Sequence, residues 1–171
     1  MYAVRRWSSR NAGSLERLYR FSAAIFHALD PLWRKVGLKR LEKPFAATEA
    51  WVKGVLFDCK MCGRCVLSVT GMTCPANCPK SVCNGPCGGV RQNGHCEVKP
   101  EMRCVWVEAW DGAKRMRDTG SFRRPLPPRE YNIEGGSAWL RLTAENMTRR
   151  ETEDAPGAVS RAKAAAKETQ V

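Results

Sequence analysis

All nine cysteines of this 171-residue chain lie between Cys59 and Cys104. They read Cys59-Lys-Met-Cys62-Gly-Arg-Cys65, then Cys74-Pro-Ala-Asn-Cys78-Pro, then Cys83-Asn-Gly-Pro-Cys87-Gly-Gly, and finally Cys96 and Cys104. Two-residue gaps allow consecutive thiolates to turn onto one centre while the backbone between them wraps it. Pro and Gly interrupt the run too densely for a regular helix or strand to carry it. The segment is therefore expected to fold around something inorganic.

Three chemistries compete for it. Disulfides suit small secreted domains, but the amino terminus does not read as a secretory signal peptide and nine is an odd count. Structural zinc takes four ligands per ion, typically from two Cys-x-x-Cys units separated by a loop. Here the first unit is a triplet, Cys59, Cys62 and Cys65, which a zinc knuckle does not need. Ferredoxin-type clusters use such a triplet and add a Cys-Pro further on. Cys74-Pro75 and Cys78-Pro79 match that in kind, although the gap after the triplet is longer than in the ferredoxin motif. Spacing favours iron–sulfur over zinc without deciding between them.

The order of the motifs adds a resemblance. Phe57-Asp58-Cys59-x-x-Cys62-Gly63-x-Cys65, Thr70-Gly71-x-x-Cys74-Pro75, Cys78-Pro79-Lys80, Asn84-Gly85-Pro86-Cys87-Gly88-Gly89, Gly94-x-Cys96-Glu97-Val98 and Cys104-Val105-Trp106 resemble the methylenetetrahydrofolate reductase C-terminal domain family. That family includes the small iron–sulfur partner subunit of acetogen-type methylenetetrahydrofolate reductase. Leu126-Pro127-Pro128-Arg129-Glu130-Tyr131 and Ser137-Ala138-Trp139-Leu140 are similar to its closing segment. The resemblance implies two [4Fe-4S] clusters held by Cys59, Cys62, Cys65, Cys74, Cys78, Cys87, Cys96 and Cys104. Cys83 has no counterpart in the pattern and reads as a spare, inert thiol.

The formal charge is +12, and residues 1–57 hold 11 basic against 4 acidic groups. Such a balance suits nucleic acid, an anionic membrane face or an acidic protein. Cluster-bound thiolates would offset part of it, which weakens the case for nucleic acid. No stretch approaches the ~18 apolar residues of a membrane span. A reducing, cytoplasmic setting follows from the cysteine usage.

The expected fold is a small, metal-dominated, loop-rich cysteine domain flanked by α-helices, with little or no regular sheet and a disordered C-terminal tail. Residues 1–13 form a flexible basic leader and 14–54 an N-terminal helical region. Residues 55–119 form the cysteine domain with its closing helix, 120–147 an extended arm and short helix, and 148–171 the tail. In the helical region, Leu15, Leu18, Ile25, Leu29, Leu32 and Val36 form a seam at three–four spacing. Asp30-Pro31 divides it into helices over about 14–29 and 31–41, with Ser14 and Asp30 as caps. A short helix starts at Thr48, and another spans about 101–117, its tryptophans facing the cluster domain.

There is no Ser-His-Asp set, no phosphate-binding loop and no dinucleotide fingerprint in the sequence. Cysteine-only ligation leaves no open position for substrate, so the expected chemistry is electron movement. By resemblance the chain is a non-catalytic subunit of an oxidoreductase complex. Its partners would be an electron-donor protein and a flavin-bearing methylenetetrahydrofolate reductase catalytic subunit, which would hold the folate and flavin sites. The alternative is a structural zinc or redox-idle scaffold that recruits one-carbon or corrinoid methyl-transfer proteins. A basic zinc-ribbon nucleic-acid binder is the weakest reading.

Overall fold

The computed structural model describes residues 2–85, 87–123 and 125–154. Its helices are α1 (Tyr2–Arg10), α2 (Ala12–Ala28), α3 (Asp30–Val36), α4 (Leu38–Phe57), α5 (Val105–Ala113) and α6 (Ala138–Asp154). Residues 58–104 connect α4 to α5 and carry every cysteine, with one 3-10 turn at Pro75–Asn77. Among the described residues there is no β-strand; ladder-like pairing is limited to the isolated bridges Val90–Cys96 and His95–Arg103. The loop-rich cysteine region flanked by helices is as expected. No described helix is long and apolar enough to cross a membrane.

The amino terminus differs from the flexible leader expected for residues 1–13. Residues 2–10 are helical and α1 lies against both α4 and α5. Its buried residues are Ser8 and Ser9, with Tyr2 packed against Cys96, Met102 and Val105. Ser8 is fully buried and donates to the Leu56 carbonyl at 2.8 Å. The Arg103 amide donates to the Tyr2 hydroxyl at 2.7 Å, fixing the start of α1 to the end of the cysteine run. The next helix begins at Ala12, so Ser14 lies inside α2 and does not cap it.

The expected apolar seam is divided between two faces. Leu15 and Tyr19 pack on a core of Ala12, Phe57, Leu67, Met72, Cys74 and Met116. Phe26 meets Trp33 and Phe45, with ring centroids 5.8 Å away in each case, and Trp139 at 6.1 Å. This aromatic knot joins α2, α3, α4 and α6. Leu18, Ile25, Leu32 and Val36 turn outward instead and are exposed, together with Phe21. The inward stripe is Ala12, Leu15, Tyr19 and Phe26, which keeps helical spacing but sits about one residue off the leucine seam.

Asp30 opens α3 without capping it; its carboxylate pairs with Arg150 at 2.9 Å. Gly37, at φ 84°, separates α3 from α4, a conformation that glycine adopts without the penalty other residues incur. Instead of a helix ending near 41 and a short one starting at Thr48, α4 runs for 20 residues through Pro44, and Thr48 is internal, donating to the Pro44 carbonyl at 2.9 Å. An interior proline costs about 3 kcal/mol or more locally. Apolar packing of α4, Phe45 against Phe26 and Trp33 and Phe57 in the core, offsets it.

α5 is shorter than the 101–117 expected, and Val105, Trp106, Ala109 and Ala113 form its buried side. Gly71 and Gly112 bring the cysteine loop and α5 into backbone contact; a Cβ on either glycine would overlap the other residue's backbone. The last helix continues beyond Met147 to Asp154, and the Arg150–Asp30 pair holds that extension. Of the expected tail, residues 155–171 lie outside the described residues.

Candidate metal centre

The exit from α4 delivers the first cysteine. Asp58 takes a left-handed conformation, φ 51°, which Asp tolerates better than most side chains. The Asp58 amide closes on the Gly54 carbonyl at 3.0 Å and the Cys59 amide on the Lys53 carbonyl at 3.3 Å. Two further left-handed residues, Met61 and Gly63, curl the triplet back on itself. The Met61 amide points at Cys59 Sγ at 3.4 Å. Cys74 returns to the same place because Asn77 Nδ2 donates to the Phe57 carbonyl at 2.8 Å. Cys59, Cys62, Cys65 and Cys74 thereby share the wall of one cavity, closed on another side by Pro127, Pro128 and Arg129 of the arm.

Cys83 lines that cavity as well. It was expected to be a buried thiol near the site; it is partly exposed and close enough to Arg129 to act on its charge alongside Cys62. Among the described residues no three Cys, His, Asp or Glu side chains converge on a point in the manner of a single-ion site.

Electrostatics in the cavity oppose bare thiolates. Burial pushes the Cys74 thiol up to about 12, and the neighbouring Cys59, Cys62 and Cys65 add to that rise. Burial likewise raises Cys59, against the pull of the Met61 amide and Lys53. Four sulfurs in these surroundings need cationic charge among them before all can ionise. The donor set thus fits a thiolate-bound metal group.

A buried ion pair forms part of the cavity wall. Lys53 Nζ lies 2.5 Å from Glu49 Oε1, and both side chains are almost wholly enclosed. Glu49 Oε2 accepts from Ser137 Oγ at 2.7 Å and from the Trp139 amide at 3.2 Å. Ser137 Oγ in turn accepts the Leu140 amide at 3.3 Å, which caps α6. Lys53 shares the cavity wall with Cys65, and its ammonium stands over the Trp139 ring at 5.0 Å. Burial alone would lower the Lys53 pKa, but Cys65 and Glu49 outweigh it and hold it above the usual lysine value. Tyr19 is raised as well, first by burial and then by Cys65.

Cys78, Cys87, Cys96 and Cys104 are not on that cavity. Backbone bonds fold residues 89–104 into a knuckle: Glu97 N to Gly89 O at 3.1 Å, Cys96 N to Met102 O at 3.0 Å, and Cys104 N to Gly94 O at 3.0 Å. Cys96 and Cys104 are buried, while Cys78 and Cys87 are partly exposed. The Gly89 amide points at Cys87 Sγ at 3.3 Å. The Lys80–Glu97 ion pair and the bond from Trp106 Nε1 to the Val82 carbonyl, 3.0 Å, tie the segment after Cys78 to this knuckle and to α5.

The basic residues that sequence placed nearest the cysteines are engaged elsewhere. Arg64 pairs with Glu130 at 2.8 Å, Lys80 with Glu97, and Arg91 with the Glu97 carbonyl at 3.4 Å. Lys53 lines the cavity together with Arg64 and Arg129, and it is the buried one of the three; sequence reasoning passed over it. Its only local signal was a Glu at i−4, a spacing shared with ordinary surface pairs on helices.

Comparison with known families gives a match to the family described as methylene-tetrahydrofolate reductase C terminal, over residues 38–132. That span begins with α4, includes all nine cysteines and α5, and ends within the 3-10 turn at Tyr131–Ile133. No curated protein and no solved structure matches the chain. With more than half of its length matched, the chain belongs to the methylene-tetrahydrofolate reductase C-terminal family.

Proposed function

We propose that the protein is an iron–sulfur electron-transfer subunit that supports a flavin-dependent methylenetetrahydrofolate reductase. The observation that carries this reading is the gathering of Cys59, Cys62, Cys65 and Cys74 around one cavity, in a chain of that family. The Cys59-Cys62-Cys65 triplet followed by Cys-Pro favours a polynuclear cluster over a lone zinc, which takes two separated Cys-x-x-Cys units. Cys59, Cys62, Cys65 and Cys74 would hold one [4Fe-4S] cluster, and Cys78, Cys87, Cys96 and Cys104 the other. When bound, such clusters supply one-electron transfer.

The chain's own groups hold and insulate. The amides of Met61 and Gly89 aim at sulfur and stabilise thiolate charge. Phe57 and Leu67 close the inner side of the first centre. The partner would be the flavin-bearing catalytic subunit, receiving electrons that this chain takes from a donor protein in a reducing compartment. The outward residues Leu18, Phe21 and Ile25 of α2 give that subunit an apolar surface to meet.

The test is iron, zinc and acid-labile sulfide per chain on protein purified without oxygen, with visible spectra before and after dithionite. About eight irons and eight sulfides, with bleaching on reduction, is the expected result. Zinc without sulfide or colour would overturn it and leave a structural scaffold in its place.

A further inference from the structure

We propose that Lys53, held in place by Glu49, is the positioning residue that sets the reduction potential of the first centre through Cys65. The inference rests on the iron–sulfur reading above. Lys53 leaves the last turn but one of α4 and enters the cavity wall beside the cysteines, with its side chain 4 % exposed. It shares the cavity wall with Cys65, whose charge acts on it, and Glu49 holds it at 2.5 Å. Glu49 is itself immobilised by Ser137 and the Trp139 amide. The ammonium is thus held by Glu49 and enclosed, and cannot follow the charge of its surroundings by swinging into water.

Reduction of a thiolate-bound cluster adds one electron and no proton, supplied here by a one-electron reductant. A fixed cation next to one of the four sulfurs stabilises the extra negative charge and raises the potential. A fixed carboxylate one step further out opposes it. In a buried setting with little screening, both effects exceed those of surface charges. Arg64 and Arg129 also line the cavity, but they are more exposed and ion-paired to Glu130 and Glu134, and Lys80 and Arg91 are engaged by Glu97. The two members of the pair therefore carry opposite signs of effect on one centre, a signature that a purely structural salt bridge does not produce.

The experiment uses the full chain, purified without oxygen, as wild type, K53R, E49Q and E49Q/K53M. The double variant avoids burying a lone carboxylate, and Gln still accepts from Ser137 and Trp139. Iron and sulfide are counted first, and each protein is then titrated with dithionite and mediators while the reduced signal is followed by electron paramagnetic resonance. One of the two centres should respond: E49Q shifts it to higher potential, adding K53M shifts it back down below E49Q, and K53R stays with wild type. Equal potentials in E49Q and E49Q/K53M at equal iron content would overturn the inference while leaving the iron–sulfur reading intact. Wild type without iron and sulfide would bring down both. If the double variant does not load, the comparison of wild type with E49Q decides, and the absence of an upward shift overturns the proposal.

Discussion

Ser137 Oγ donates to Glu49 Oε2 at 2.7 Å, joining residues 88 positions apart in a contact closed to solvent. The same hydroxyl accepts the Leu140 amide, and the same carboxylate binds Lys53. One serine therefore starts α6 and completes the support of the cavity wall.

Ser137→Ala removes a helix cap and a hydrogen bond to a buried carboxylate together. Each loss costs on the order of 1 kcal/mol, so the substitution should lower stability by about 2 kcal/mol and the melting temperature by several degrees. Calorimetry on the loaded protein checks this. An unchanged melting temperature would mean that the contact does not hold in solution.

Gly112 and Gly54 are both helical but sit in opposite surroundings. A Cβ at Gly112 overlaps the backbone of Gly71, whereas one at Gly54 meets nothing within 4 Å. Gly112→Ala should destabilise by about 1–3 kcal/mol through overpacking. Gly54→Ala should stabilise by ~0.5–1 kcal/mol through reduced chain entropy. Urea titration of the two variants gives midpoints moving in opposite directions; a shared direction would contradict the packing described between the cysteine loop and α5.

Cys74→Ala should lower iron by about four atoms per chain and leave the knuckle group loaded. Cys83→Ala should leave iron unchanged, since the motif pattern gives it no ligand role. Metal analysis on anaerobic protein reads both. Iron loss in the Cys83 variant would make it a ligand and reassign one of the other four thiols.

Glu108 is buried, and neither of its carboxylate oxygens has a hydrogen-bond partner. Burial pushes its carboxyl above the ordinary carboxylate value, against the pull of Arg5, Arg6 and Arg103. The folded state therefore holds this proton more tightly than the unfolded chain. Its contribution to stability is full below the ordinary value of about 4.3 and is lost as pH rises through the raised folded value. Glu108→Gln removes that loss. As pH rises from the ordinary carboxylate value of about 4.3, unfolding midpoints should favour the variant by a margin that grows until Glu108 is fully ionised. Parallel profiles would show that the carboxyl is not raised.

Much of the site was legible because cysteine spacing is a local signal. The triplet, the Cys-Pro pairs and the Asn-Gly-Pro-Cys-Gly-Gly run gave the family and the eight candidate ligands, and the structure places Cys59, Cys62, Cys65 and Cys74 together. The rest depends on contacts across long stretches of chain. α1 was invisible because its buried face is serine, satisfied by a carbonyl some 48 positions away. The true length of α4 was hidden by Pro44, whose local cost is overcome only by tertiary burial. Glu49 and Lys53 drew no reading from sequence, because their i, i+4 spacing is that of ordinary surface pairs and the contact with α6 that buries them is distant in sequence. The leucine seam of α2 was a true helical period on the wrong face, because Tyr19 and Phe26 take the inward positions.

The cavity wall made by Pro127, Pro128 and Arg129 has a bearing on how the protein is built in time. Synthesis proceeds from the amino end, so every thiol has left the ribosome before this wall exists. Ser137, which locks Glu49, follows later still. A nascent chain thus offers its sulfurs through an open side that the finished chain covers, and the metal group proposed above would have its route in before that side is closed.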